Sequence, residues 1–338
     1  MESCKNVLLR VSGVEVQCVV TRDIEWGAYP PSVIHGMVGF VLRQATCLVK
    51  HRASCRGCVF ASMCAYGTWF SKLVLNVSEE TRRYSNPPAA FRIYMDRWNE
   101  SQLPLGAEFR VQLWMYGRAA EAARFLTGML LEALERPLGA KAGRSFRGSV
   151  RAVSVRDILG RRLCERLEDG DFALGDVHVA RVDLSALSEA LLGNHGGMRD
   201  IRLLFLSPLR LHVGGELARA VTAKSLLVSV ARRLKMLTLF HGDAVWEPPW
   251  EIIACGSENC NVENLLRRRS TCRWSARQRQ RHRMPAITGE VIIHDLPQAL
   301  GELLRVGALT GIGKGTSFGH GAYLFEYIES LREVGKRQ

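Results

Sequence analysis

The order of strand-like and helix-like segments constrains this chain most, because that order runs twice. Residues 5–20 alternate as a half-buried strand does. Tyr29-Pro30-Pro31-Ser32 stops the run, and Ser32 suits the N-cap of a helix reaching about Thr46. Strands are expected at Ala90–Trp98 and Glu108–Tyr116, a helix over Ala119–Glu135, and a strand at Val150–Val155 after a basic loop. Gly193-Asn194-His195-Gly196-Gly197 then breaks the pattern, and it begins again. The second round predicts a strand at Ile201–Val213, a helix at Val221–Phe240, and strands near Trp250–Ala254, Cys272–Ala276 and Ile287–His294. A helix at Gln298–Val306 and a strand at Ala322–Tyr327 close it. The expected fold class is α+β: tandem ferredoxin-like (RRM-like, βαββαβ) domains over residues 1–195 and 196–338, with a glycine-rich C-terminal loop and a cysteine-bearing insertion at 47–66.

Charge narrows the partner. The 338 residues carry 46 Lys+Arg against 33 Asp+Glu, a net +13, which suits a polyanion. Arginine far outnumbers lysine, and its planar fork matches phosphate bidentately. No apolar stretch is long enough to span a bilayer and no signal-peptide pattern opens the chain, so a cytoplasmic protein without a membrane partner is expected. In a reducing compartment the ten cysteines read as thiols rather than a disulfide framework.

The charge is concentrated near the C-terminus. RRRSTCRWSARQRQRHR holds eight arginines from Arg267 to Arg283 and no acidic residue. Arg277, Arg279, Arg281 and Arg283 recur every second residue, so on an extended strand they share a face and can track a phosphate backbone. Arg273 and His282 belong to the same run, and Trp274 is either a stacking platform for a base or a core residue. GIGKGTSFGHGAY follows, with Lys314, Thr316, Ser317 and His320 between glycines that would let backbone amides approach phosphate. It is not a nucleotide-binding P-loop, which needs glycine where Ala308 stands and Ser or Thr where Gly315 stands.

Two features lie in the first half. On the 32–46 helix, Ile34, Met37, Val38, Val41 and Ala45 form the apolar face. His35, Gly39 and Arg43 line the opposite one, with Gly36 beside them, as if a ligand backbone came close. Beyond it, Cys47, Cys55, Cys58 and Cys64 have metal-knuckle spacing, which suits a structural Zn²⁺ or, with the same ligand set, an iron–sulfur cluster.

These segments resemble the CRISPR-associated precursor-crRNA-processing endoribonucleases of the RAMP superfamily. The likeness rests on Trp274-Ser275-Ala276-Arg277-Gln278, on Thr288-Gly289-Glu290-Val291, on a turn at Val306-Gly307 and on the Gly313–Gly321 loop. Gly36, Gly39, Cys47, Cys55, Cys58, Cys64 and Tyr66 carry a second likeness. Phe40 stands where similar members often have histidine, and His35 where the family has arginine. The resemblance implies binding of CRISPR repeat RNA and its cleavage by the adjacent ribose 2′-OH, with no cofactor in catalysis and no small-molecule substrate. It also implies retention of the crRNA among other effector-complex subunits. His35, Arg43 and Lys314 are then the candidate catalytic residues, although an arrangement in which Arg and Lys position the RNA and water takes the proton serves equally. A crRNA-binding subunit that does not cleave is the competing reading.

Overall fold

The structure is a computed structural model that describes residues 6–49, 54–71, 81, 84, 87–142, 145–165, 173–193, 196–275 and 280–328. In the first half the elements run β1 (Leu8–Arg22), α1 (Pro30–Thr46), β2 (Phe91–Met95), β3 (Glu108–Tyr116), α2 (Ala123–Glu135) and β4 (Ser145–Asp157). Their antiparallel sheet has the order β2-β3-β1-β4. After α3 (Leu184–Leu192) the second half runs β5 (Met198–Phe205), α4 (Ala223–His241), β6 (Asn261–Ser275), β7 (Gln280–Pro297), α5 (Gln298–Thr310) and β8 (Tyr323–Ile328), in sheet order β6-β7-β5-β8. In both sheets the first strand lies between the third and the fourth. That is the ferredoxin-like topology, twice.

Each half closes on an apolar core between sheet and helices. Val14, Val16, Phe91, Ile93, Phe109 and Leu113 meet Ile34, Leu42, Leu126 and Leu130 in the first. Ile201, Leu203, Val291 and Ile293 meet Leu226, Leu234, Leu300 and Leu304 in the second. The halves are not separate beads. β1 is 15 residues long, and its start (Leu9, Val11) joins the second core together with Tyr116 from β3 and Leu184, Leu187 and Leu191 from α3.

Several local readings are corrected. α1 begins at Pro30, because prolines at its first two positions need no N–H partner; Ser32 sits inside the helix and donates to the Tyr29 carbonyl at 2.7 Å. Trp250–Cys255 is a short helix, not a strand. Val306 and Gly307 lie within α5 rather than at a turn, and Gly307 is glycine because a Cβ there would fall 2.4 Å from the Tyr323 hydroxyl.

Candidate nucleic-acid interface

The arginine run folds as a long antiparallel ribbon. β6 and β7 pair from Asn261↔His294 to Ser275↔Gln280. Arg267, Arg268, Arg269, Arg281 and Arg283 are exposed on it, and Arg273 is half-buried. None of these six forms an ion pair among the described residues. Arginines elsewhere do: Arg97 with Glu100, Arg161 with Asp157, Arg202 with Glu290 and Glu326. Trp274 is 52% exposed opposite Arg281, so it belongs to the surface and not to the core. His282 pairs with Arg273 across the ribbon. Arg277 and Arg279 lie outside the described residues.

At its inner end the ribbon meets α1 and the glycine loop. The Tyr29 amide donates to the Cys272 carbonyl at 2.7 Å, which fixes the start of α1 to β6. The loop places Lys314 in solvent but buries Thr316, Ser317 and His320. Its glycines serve the chain path more than a ligand. Gly319 has φ 84°, and a Cβ there would lie 2.5 Å from the Ile93 carbonyl. The amides of Gly311, Lys314, Gly319 and Gly321 are already bonded to the carbonyls of Gly307, Arg210, Thr316 and Pro208. His320 is 0% exposed, with Nε2 3.1 Å from Thr271 Oγ1. Burial first, then the nearby Arg210 charge, pulls its pKa down to about 3. It is a neutral structural strut; Thr316 and Ser317 are buried as well but line the wall of the neighbouring cleft.

His35 differs from the expectation in the same way. Rather than standing on an open helix face it is 7% exposed, with the rings of Phe70, Phe91 and Phe318 at 4.6, 5.5 and 4.6 Å. Gly39, read as a place for a ligand backbone, instead makes room for Phe70, whose ring lies 2.0 Å from where a Cβ would be. Arg43 is two turns further on, about 12 Å along the axis, where its guanidinium lies 5.8 Å from the Tyr66 ring centroid.

What the fold brings together is Lys314 with Arg273 and two residues that carried no motif, Arg210 and His212. Arg210 Nε donates to the Pro285 carbonyl of the ribbon at 3.3 Å, and its own carbonyl accepts from the Lys314 amide at 2.8 Å. Arg273 lies over Phe318, 4.4 Å from the ring centroid. Burial lowers the pKa of both arginines, and Arg273 adds to the effect on Arg210. His212 is held neutral by partial burial and by the charges of Lys314 and Arg210, in that order. Lys314, Arg210 and His212 border a cleft of about 870 Å³, whose lining also includes Lys224, Arg232 and Arg233 from α4 and no carboxylate. Arg210 and His212 escaped the sequence reading because Ile201–Val213, expected as one strand, ends as β5 at Phe205; Arg210 lies beyond it and His212 in a two-residue pairing with Glu216–Leu217, where no spacing marks them.

The cysteine run lies at and beyond the end of α1, with Cys47, Cys55 and Cys64 near one another. Burial raises the Cys55 pKa, and Cys64 and Cys47 are near enough to add to it. The Cys64 thiol is 3.6 Å from the Thr46 carbonyl at the end of α1. Among the described residues no three His, Cys, Asp or Glu side chains stand close enough together to hold a metal ion.

A ferredoxin-like pair whose described ribbon arginines form no ion pairs, beside an acid-free cleft, presents a surface suited to a polyanion. Residues 203–323 match the family model of the CRISPR-associated endoribonuclease Cas6, and residues 9–169 match one described as an N-terminal domain. Through that C-terminal match, residues 203–323 are similar to the family of CRISPR-associated endoribonuclease Cas6. No curated protein matches the sequence. Among solved structures, a Thermus thermophilus Cas6 is similar over 96% of this chain and 100% of its own, at 14% identity and a TM-score of 0.49. A chain of a partial Cas6-RT-Cas1–Cas2 complex is similar over 96% of this chain and 47% of its own (13% identity, TM-score 0.50). The product of a Cas6-related gene from Pyrococcus furiosus gives 10% identity and a TM-score of 0.40 over 95% and 100%. No helix among the described residues is long and apolar enough to cross a membrane.

Proposed function

We propose that this protein binds CRISPR repeat RNA along the β6–β7 ribbon and cleaves precursor crRNA at the inner end of that ribbon without a metal ion, keeping the product within an effector complex. The observation that carries the reading is the set of six described ribbon arginines with no ion-pair partner, leading to Lys314, Arg210 and Arg273. Attack by a ribose 2′-OH on the neighbouring phosphorus needs three things: in-line positioning, a proton acceptor and cations on the developing phosphorane charge. Exposed arginines on the ribbon position the strand. Lys314, Arg210 and Arg273 take up the negative charge. Neutral His212 beside Lys314 is the group suited to accept the 2′-OH proton, since its depressed pKa keeps a ring nitrogen free at pH 7. His35, walled in by three aromatic rings, holds α1 against the loop as a positioning residue.

The test is incubation of the full chain with a repeat hairpin RNA in EDTA, followed by end-group analysis. Cleavage leaving a 2′,3′-cyclic phosphate and a 5′-OH is expected. Tight binding with the RNA left intact would replace this reading with a carrier subunit. His212→Ala is expected to lose cleavage with binding kept, whereas His35→Ala lowers stability and leaves the pH profile of the residual activity unchanged. The opposite pattern would return the acceptor role to His35.

A further inference from the structure

Behind the cleft, where the two halves meet, lie two arginines that no described carboxylate neutralises. Arg92 of β2 is 3% exposed; its Nη2 donates to the Ala308 carbonyl at 3.1 Å, while Nε and Nη1 have no partner. Arg233 of α4 lines the cleft, and its buried Nε and Nη2 are also without partners. Both guanidinium charges act on the Tyr116 hydroxyl, which itself donates to the Leu309 carbonyl at 3.0 Å. Gly311, beside Thr316 of the cleft wall, keeps room for Arg92: a Cβ there would come 2.9 Å from Nη1.

Four buried N–H-bearing nitrogens on two adjacent cations are costly to leave unmatched, and the rings of Trp114 and Tyr116, 5.3 and 5.7 Å from the Arg92 and Arg233 guanidiniums, offset only part of that cost. Burial and the Arg92 charge push the Arg233 pKa down to about 10, which leaves it charged at neutral pH. An oxyanion would remove the mismatch by supplying both charge and acceptors, and guanidinium forks fit its geometry. Lys224, Arg232 and Lys314 on the rim would draw such an ion inward, and no acidic residue in the lining opposes it.

We infer that the floor of this cleft is a phosphate site, in which one phosphate group is bound by Arg233 with Arg92 behind it. The phosphate comes either from a nucleic-acid strand or from the free ion. The site lies in the cleft that His212 and Lys314 border, on two arginines to which no part in cleavage is assigned, and it stands whether or not the protein cleaves RNA.

The experiment uses the full chain in a phosphate-free buffer, titrated with inorganic phosphate by calorimetry and thermal unfolding. Saturable binding that raises the wild-type midpoint by a few degrees is expected, with binding at least tenfold weaker and no midpoint shift in Arg233→Met and in Arg92→Met. Should the methionine variants not fold, Arg233→Lys, which keeps the charge and loses the fork, is read instead, with tenfold weaker binding expected. Absence of a phosphate response in the wild type, or an equal response in the variants, overturns the inference. A short oligoribonucleotide with a free 5′-OH then separates the sources: displacement of phosphate assigns the site to a strand, and simultaneous binding assigns it to the free ion.

Discussion

Protonation of His320 is the sharpest handle on the glycine loop. The side chain is sealed beneath Thr271, and its pKa of about 3 lies well below the ~6.5 of an exposed imidazole. A depressed histidine pKa means that the unfolded chain binds the proton first, so stability is lost as pH falls below about 6.5. Between pH 7 and pH 5 the native ring stays neutral while the unfolded one charges, which removes roughly 2 kcal/mol. His241, buried against the Pro88 carbonyl with a pKa of about 4, removes a similar amount over the same window. His294 works the other way: its hydrogen bond to Asp200, and then that to Glu263, raise its pKa, so its contribution is present at pH 5 and fades as pH rises. Absolute stability at one pH therefore says little. The informative quantity is the difference between the wild type and His320→Gln, whose amide can still reach Thr271 Oγ1. Urea unfolding followed by tryptophan fluorescence at pH 7 and pH 5 should show the wild type losing about 2 kcal/mol more than the variant. Equal losses in the two proteins would refute the burial argument, and with it the placement of His320 as a neutral strut.

Other outcomes follow from the same geometry. Lys314→Ala, Arg210→Ala and Arg273→Ala should each lower the single-turnover cleavage rate by ~10²-fold, as removal of a charge-stabilising donor does. Arg281→Ala should weaken RNA binding and make its logarithmic salt slope shallower by about 0.7; an unchanged slope would mean that the residue does not meet a phosphate. Gly117 has φ 59°, and a Cβ there would sit 1.8 Å from the His241 carbonyl oxygen, so Gly117→Ala should cost at least ~2 kcal/mol in chemical unfolding. Gly36, in an exposed part of α1 with nothing within 4 Å, should behave oppositely: Gly36→Ala should stabilise by about 0.5–1 kcal/mol. If the alanine at 36 also reduces RNA binding, the open space there is used by the strand.

The sequence showed the fold wherever one face of an element is buried and the other is wet. Glu108–Tyr116 alternates along its length and was read to its last residue. The two helices of the second half were also legible, because their apolar stripes recur at helical spacing. The ribbon was not. Arg267–Arg269 are exposed in succession, so periodicity has nothing to report, and the strands looked shorter than they are. The site misled for a related reason. Polar residues in a motif invite a reading as ligand contacts, yet His320 is sealed against Thr271, and Phe70 takes the space beside Gly39. Arg210 and His212 gain their meaning only from the neighbours that the fold gives them, Pro285 and Lys314.

The state of the arginines separates structural charge from functional charge in this molecule. Arg97, Arg161 and Arg305 hold carboxylates three or four residues away, a local arrangement that needs no partner. The outer part of the ribbon, residues 267–275 and 280–289, carries no carboxylate, although a solvated ribbon would be steadier and more soluble with mixed signs. Arg92 and Arg233 show the same imbalance inside the protein, where it costs more because water cannot relieve it. One polyanion following the ribbon inward would meet exposed cations first, then the half-buried Arg273 and Arg210, then the cleft with Arg233 on its floor. Electrostatic attraction strengthens along that path as water is excluded. Salt should therefore weaken the outer contacts most, and a strand held at moderate ionic strength should be retained mainly by its inner phosphates.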